Sequence, residues 1–224
     1  MVLLALQDRG IAAALDRRPY GSLQVSAPQV GCLQLAAGRS LLLPDRSAAA
    51  GSGVLAVLEG VARVACEAVC PGVDCGAFTV AFLQGGEQVT LQQLCAEGIV
   101  IEALTPVRLR LITASSEVAL PPVDPVSDWT LQLLRLRHLP LAERRLQALL
   151  ALLSERFGRR CAGGYALPFR LSHGRIAELI GTTRVTTTRL LSRLRQQQLL
   201  IDGEADAALV LSAAWIEAAP LISA

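Results

Sequence analysis

The sixteen residues IGTTRVTTTRLLSRLR, Ile180 to Arg195, constrain this chain more than any other stretch. Read at about 100° per residue they make a helix divided along its length. Thr187, Leu190, Leu191 and Leu194 gather on one side, and Arg184, Val185, Thr188, Arg189, Ser192 and Arg195 on the other. Such a helix packs its leucines on its neighbours and holds its arginines outward. The run Thr186–Thr188 is a poor choice on propensity alone, because each β-branched residue costs up to ~0.7 kcal/mol against Ala. It makes sense if Thr187 is a small core residue while its neighbours serve a polar surface. Just upstream, Ser172 is placed to cap a short helix through Ile176, Ala177 and Ile180. Gly181 then supplies a turn, and Thr183 caps the divided helix, which is expected to run to about Gln197.

Charge singles out the same region. All 21 basic residues are arginine, and the formal net charge is only +2. Residues 1–128 carry 8 Arg against 12 acids, residues 129–201 carry 13 Arg against 3 Glu, and residues 202–224 carry four acids and no Arg. The three nets are −4, +10 and −4. A basic block inside a near-neutral chain is the footprint of a phosphate-binding surface. A solvated helix face of ordinary kind would interleave more acids.

Mean hydropathy is high at +0.45, yet no run approaches the ~18 apolar residues of a membrane helix. The opening MVLLALQDRG lacks a basic n-region and a long apolar core, so no membrane partner and a cytoplasmic location are expected. From Val30 to about Ile112 short Val-, Ile- and Leu-rich runs alternate with Gly and Pro, as in GVLAVLEGVARVAC and EGIVIEALTPVRLRLI. This predicts an all-β barrel or roll. A short helix is expected around Ile11–Arg17. ASSEVALPPVDPVSD reads as an irregular connector, Ser127–His138 as a helix, and Leu141–Phe157 as a one-sided amphipathic helix closed by Gly158. RCAGGYALPFR reads as a loop with room for a short strand, and the two β-like pieces around Asp202–Gly203 as a hairpin. The expected organisation is α+β: a β-roll over 1–115, a connector with a short dimerisation helix over 116–140, and a helical basic domain over 141–224.

Two short helices joined by a glycine turn and followed by a hairpin describe a winged helix-turn-helix, whose second helix enters the DNA major groove. LSHGRIAELIGTTRVTTTRLLSRLRQQQLLI resembles the C-terminal winged helix of the Crp/Fnr family of transcription regulators. Within it, Arg184–Arg189 is most similar to the cyanobacterial global nitrogen regulators. ERRLQALLALLSERFG matches the helix that opens the family's DNA-binding domain, and the β segment fits its sensor roll in outline. The resemblance implies a double-stranded β-helix of cyclic-nucleotide-binding type, a homodimer, double-stranded DNA and RNA polymerase as partners, and no enzymatic activity. It implies Arg184, Val185, Thr188 and Arg189 as base readers. Phosphate contacts fall to His173, Thr183, Thr186, Ser192 and Arg195, with helix-start structure an equal alternative for His173.

The sensor departs from the family. Members that bind cyclic AMP carry a Gly-Glu-Leu turn and a downstream Arg-Ser or Arg-Thr pair. Here Thr90-Leu91-Gln92 and Cys95-Ala96-Glu97-Gly98 stand instead, and Glu97 would repel a phosphate. The nitrogen regulators bind 2-oxoglutarate through arginines near the dimer helix, for which Arg135 or Arg137 are the candidates. The connector is also shorter than the family's dimer helix, with Leu131, Leu134 and His138 sharing a face for a short seam.

CEAVCPGVDCG places Cys66, Cys70 and Cys75 around a Pro-Gly turn. Thiols gathered at one hairpin tip would make a redox switch, or a zinc or iron–sulfur site with a fourth ligand from Cys32 or Cys95. Small residues filling a β-hairpin are the plainer alternative. Cys32, Cys95 and Cys161 are otherwise expected to be packing residues. Three functional classes remain. The first is a DNA-binding regulator with an unidentified ligand or a thiol sensor, and the second an effector-free regulator acting through protein contacts. The third, a cupin-like metal oxygenase, needs several His in the barrel, and residues 1–128 contain none.

Overall fold

In the computed structural model the described residues are 23–24, 31–43, 53–70, 73–91, 98–113, 124–203 and 208–219. For 23–24, 31, 68–70, 73–76 and 113 the description is of the backbone alone. The helix expected at Ile11–Arg17 lies outside the described residues. The chain divides into two compact units, Met1–Trp129 and Thr130–Ala224.

The first unit is a roll of two sheets. One has the strand order β1 (Leu23–Gln24), β3 (Ser40–Leu43), β8 (Ile99–Ala103), β5 (Val61–Cys70), β6 (Val73–Gln84). The other runs β2 (Gly31–Leu35), β9 (Val107–Thr113), β4 (Gly53–Glu59), β7 (Gln88–Thr90). From β2 to β9 the chain passes back and forth between the sheets, and this winding is what makes a roll rather than a meander. The strand β9 keeps the alternation of a half-buried sheet: Val107, Leu109 and Leu111 are buried while Arg108 is half-buried and Arg110 exposed. In β5 the alternation is lost, because Val61 to Cys66 are all buried. The strand is flanked by β8 and β6 and covered on both faces. Val61, Arg63 and their neighbours follow directly on Gly60, which turns the chain from β4 into β5 at φ 82°. A Cβ at Gly60 would lie 2.1 Å from the Pro106 carbonyl oxygen, so no other residue fits there.

A buried arginine organises one face of β5. Arg63 is fully buried and opposes Phe82 on β6 and Glu102 on β8. Its Nε donates to Thr79 Oγ1 at 2.6 Å and its Nη1 to Glu102 Oε2 at 3.0 Å. Phe82 in turn meets Trp129 edge-on, with ring centroids 5.1 Å apart.

Trp129 belongs to α1 (Pro125–Arg137), which begins two residues before the expected Ser127. Asp124 accepts from the Val126 and Ser127 amides, both at 3.1 Å. Pro125 is thus the first helical residue, where its missing N–H costs nothing, and not part of the irregular connector. The second unit continues with α2 (Ala142–Phe157), α3 (His173–Ile180), α4 (Arg184–Gln196) and α5 (Ala213–Glu217) around a four-stranded antiparallel sheet. That sheet has the order β10 (Arg159–Cys161), β11 (Gly164–Leu167), β13 (Leu209–Leu211), β12 (Leu200–Asp202).

Two expectations are refined in this unit, and one element goes beyond them. RCAGGYALPFR, expected as a loop with a short strand, has that strand as β11, and the segment before it pairs with it as β10 to make a hairpin. The helix α2 is not one-sided, because Gln147, Ala148, Leu152 and Ser154 are buried with the expected leucines. It is the central post of the unit, with α3, α5 and β11 all against it. The helix α5 was not foreseen at all; Gln147 Nε2 donates to the Trp215 carbonyl at 2.6 Å and holds it in place.

Candidate nucleic-acid interface

The local chemistry of Ser172 to Thr183 builds the two-helix unit as its residues require. The Ser172 side chain accepts from the Arg175 amide and starts α3. Gly181 ends it in the left-handed region, at φ 61° and ψ 54°, where a Cβ would be strained. The Thr183 side chain accepts from the Thr186 amide and starts α4. Phe157 and Phe169, 5.6 Å apart edge to face, pack beneath.

The helix α4 is divided as its sequence requires. Thr187, Leu191 and Leu194 are buried, Leu190 is half-buried, and Arg184, Val185, Thr188, Arg189 and Ser192 are exposed. Val185 is an exposed apolar side chain at 59%. Among the described residues neither the Arg184 nor the Arg189 guanidinium has an ion-pair or hydrogen-bond partner.

The other candidate contacts are partly engaged. Thr186 Oγ1 lies 3.0 Å from Thr183 Oγ1. Thr188 Oγ1 donates to the Arg184 carbonyl at 2.9 Å and lies 2.9 Å from His173 Nδ1. The hydroxyl has one hydrogen and gives it to the carbonyl, so the imidazole must donate from Nδ1. His173 and Thr188 therefore form one unit joining the start of α3 to the outward face of α4, which spacing alone does not reveal. Arg195 is half-buried and lies 3.6 Å from Asp202 on β12, a carboxylate also 3.2 Å from Arg170. Asp202 of the wing thus neutralises basic residues of its own unit.

On α1, Leu131 and Leu134 are exposed at 46% and 53%, and His138 just beyond the helix is exposed too. Ser127 joins the same stripe, and the steps of four, three and four are those of a coiled-coil seam. Arg137, an effector candidate, is committed elsewhere: its Nη2 donates to the Glu178 carbonyl and its Nε to the Leu179 carbonyl at 3.2 Å. Nothing in the sequence around it signals that role.

Of the described thiols, Cys66 follows the packing alternative, and Cys32 and Cys161 depart from it. Cys66 does not reach a hairpin tip; it is buried at 4%, within the sheet between Phe78 and Ile99. Cys66 and Cys70 lie four residues apart on one strand, on the order of 13 Å at ~3.3 Å rise. The side chains of Cys70 and Cys75, and all of Cys95, lie outside the described residues. Cys32 and Cys161, expected to pack, are exposed. Most of Thr90–Gly98, residues 92–97, also lies outside them.

Comparison with known proteins gives two matches in chain order. Residues 33–125 match the cyanobacterial CRP family N-terminal domain, and residues 143–211 the Crp-like helix-turn-helix domain. The regulatory protein CysR of Synechococcus elongatus is 39% identical over 109 residues, 43% of this chain and 52% of that protein. The global nitrogen regulator of Nostoc sp. is 48% identical over 56 residues, 25% of each. The chain thus spans between a quarter and about half of these relatives' length. The FixK2 structure from Bradyrhizobium japonicum superposes with a TM-score of 0.59 at 20% identity, over 88% of this chain and 100% of that one. A CRP/FNR-family transcriptional regulator from Thermus thermophilus gives 0.57 at 20% identity, over 84% and 96%. At that identity the two structures show the fold.

Proposed function

The chain belongs to the Crp/Fnr family, and from that premise we propose that it is a transcription regulator that reads two-fold symmetric DNA as a homodimer. One observation carries the reading: α4 buries Thr187, Leu191 and Leu194 and turns Arg184, Val185 and Arg189 out, the two guanidiniums without a partner among the described residues. A bidentate guanidinium suits the O6 and N7 acceptors of guanine in the major groove, and an apolar Val185 suits a thymine methyl. Ser192, Thr183 and Thr186 border that face as phosphate donors, with His173 held against Thr188. The exposed Leu131 and Leu134 supply the dimer seam.

A dimer of this kind needs half-sites centred one helical turn apart, about 34–36 Å. By family resemblance the half-sites are GTA and TAC. Selection from a random duplex library with the full chain tests this directly. Enrichment of a palindrome at that spacing is expected; enrichment of single, unpaired half-sites would refute the dimeric reading, and no enrichment the DNA reading itself.

A further inference from the structure

The helix α3 has eight residues, and its last four carbonyls have no partner within the helix itself. Ala177 and Glu178 are met locally: the Gly181 amide turns back on both, and the Thr182 amide reaches Ala177 at 2.9 Å. The remaining help comes from α1, more than forty residues upstream. Arg137 straddles the helix end, its Nη2 on the Glu178 carbonyl and its Nε on that of Leu179. A second guanidinium, from Arg145 on α2, lies close by. A Cβ at Gly181 would sit 3.9 Å from Arg145 Nη1 and 4.0 Å from Arg137 Nε. Positive charge at a helix C-terminus is favoured by the dipole, and a planar fork spans two successive carbonyls as no ammonium can. What the fork grips is the base of the turn from which α4 departs: Thr183, the cap of α4, follows Gly181 by two residues.

We propose that Arg137 is a positioning residue for DNA recognition, a guanidinium on α1 that closes the end of α3 and so fixes the direction in which α4 leaves the Gly181 turn. The inference deepens the DNA-binding reading and rests on it for its consequence, though not for its geometry. Arg137 itself touches no base or phosphate. Its removal therefore lowers the yield of correctly aimed helices and leaves the electrostatic attraction to any duplex almost intact.

The test uses the full chain with Arg137→Ala and Arg137→Lys. Each is titrated with a duplex carrying GTA and TAC half-sites one helical turn apart, and with a scrambled duplex, over a range of salt. Amide hydrogen exchange at residues 177–183 is followed without DNA. For Arg137→Ala, affinity for the symmetric duplex should fall about tenfold, as expected for two lost charge-assisted bonds at a partly exposed site. Affinity for the scrambled duplex should change less than twofold, the salt dependence should stay, and the Gly181 and Thr182 amides should exchange faster. Arg137→Lys should fall between, and it decides the matter if the alanine variant does not fold. Unchanged exchange and unchanged affinity in either folded variant would overturn the proposal. So would equal losses on both duplexes with a salt slope shallower by about 1.8, the mark of one lost phosphate contact in each protomer. If the unsubstituted chain does not distinguish the two duplexes, the DNA reading fails, and exchange alone still decides whether Arg137 holds the turn.

Discussion

Arg63 on β5 and Arg189 on α4 carry the same side chain into opposite circumstances. Arg63 is fully buried, and its guanidinium is bonded to Thr79 and Glu102. Arg189 is exposed and has no partner among the described residues. A buried charge persists only where its donors are met, and once met they have nothing left for a ligand. An exposed guanidinium aimed by a well-packed helix keeps its full donor set and loses little freedom on use. The first arginine belongs to the architecture of the roll and the second to its surface chemistry. Position in the sequence says little about which is which.

The largest effect expected from this contrast is on stability. Arg63→Ala would remove the guanidinium that Thr79 and the half-buried Glu102 share, and breaking a buried pair from one side costs up to about 3–5 kcal/mol. Urea unfolding followed by circular dichroism should show that loss. The double change Arg63→Met with Glu102→Gln should recover much of it. A cost under about 1 kcal/mol for Arg63→Ala would mean that the roll does not need the pair. Arg189→Ala should do the reverse: exposed substitutions stay within about 0.5 kcal/mol of stability, while operator affinity falls by ~1–3 kcal/mol and preference relaxes at one base position. An unchanged preference would place α4 wrongly in the groove.

The two arginines also mark how far the sequence could be read. The recognition unit was legible because its information is local. Ser172, Gly181 and Thr183 each act on backbone within a few residues, and a 3.6 period needs only one helix to be seen. The roll was legible as a class, from short apolar runs and turn residues. Its register was not. That Arg63 faces Glu102 depends on strands whose separation in sequence is 39 residues, and no spacing rule reaches that far. The same limit explains Arg137, which serves a helix end 41 and 42 residues away. It explains the thiols too. CEAVCPGVDCG looks like a cluster in one dimension, but extended strand carries Cys66 away from the turn and into the sheet.

A smaller effect comes from the threonines, which repeat the contrast inside one helix. Thr187 is fully buried, and its Oγ1 has no hydrogen-bond partner among the described residues. Thr188, next to it, is exposed and bonded. An unmet buried hydroxyl costs on the order of 1–3 kcal/mol. Thr187→Val should therefore raise stability by about 1 kcal/mol, which in a unit of this size is a melting shift of roughly 4–8 °C, with DNA affinity unaltered. A destabilised Thr187→Val would reveal a bridging water and make the hydroxyl part of the core's polar network.

The smallest energetic effects are expected at the two exposed thiols, and the buried Cys66 sharpens the comparison because burial alone sets the difference. Cys32 and Cys161 are exposed, and replacing either by Ser removes little packing, so stability should stay within about 0.5 kcal/mol. Cys66 is buried between neighbouring strands, where a hydroxyl would need a partner that a thiol does not, and Cys66→Ser should cost on the order of 1–3 kcal/mol. Alkylation of the folded chain followed by peptide mapping reports accessibility at each position independently of stability. Cys32 and Cys161 should label within minutes, and Cys66 only on unfolding, since the reagent must reach the sulfur. Rapid labelling of Cys66 in the folded chain would show that β5 and β6 part near that residue. The roll would then open between the two register shifts that flank Cys66.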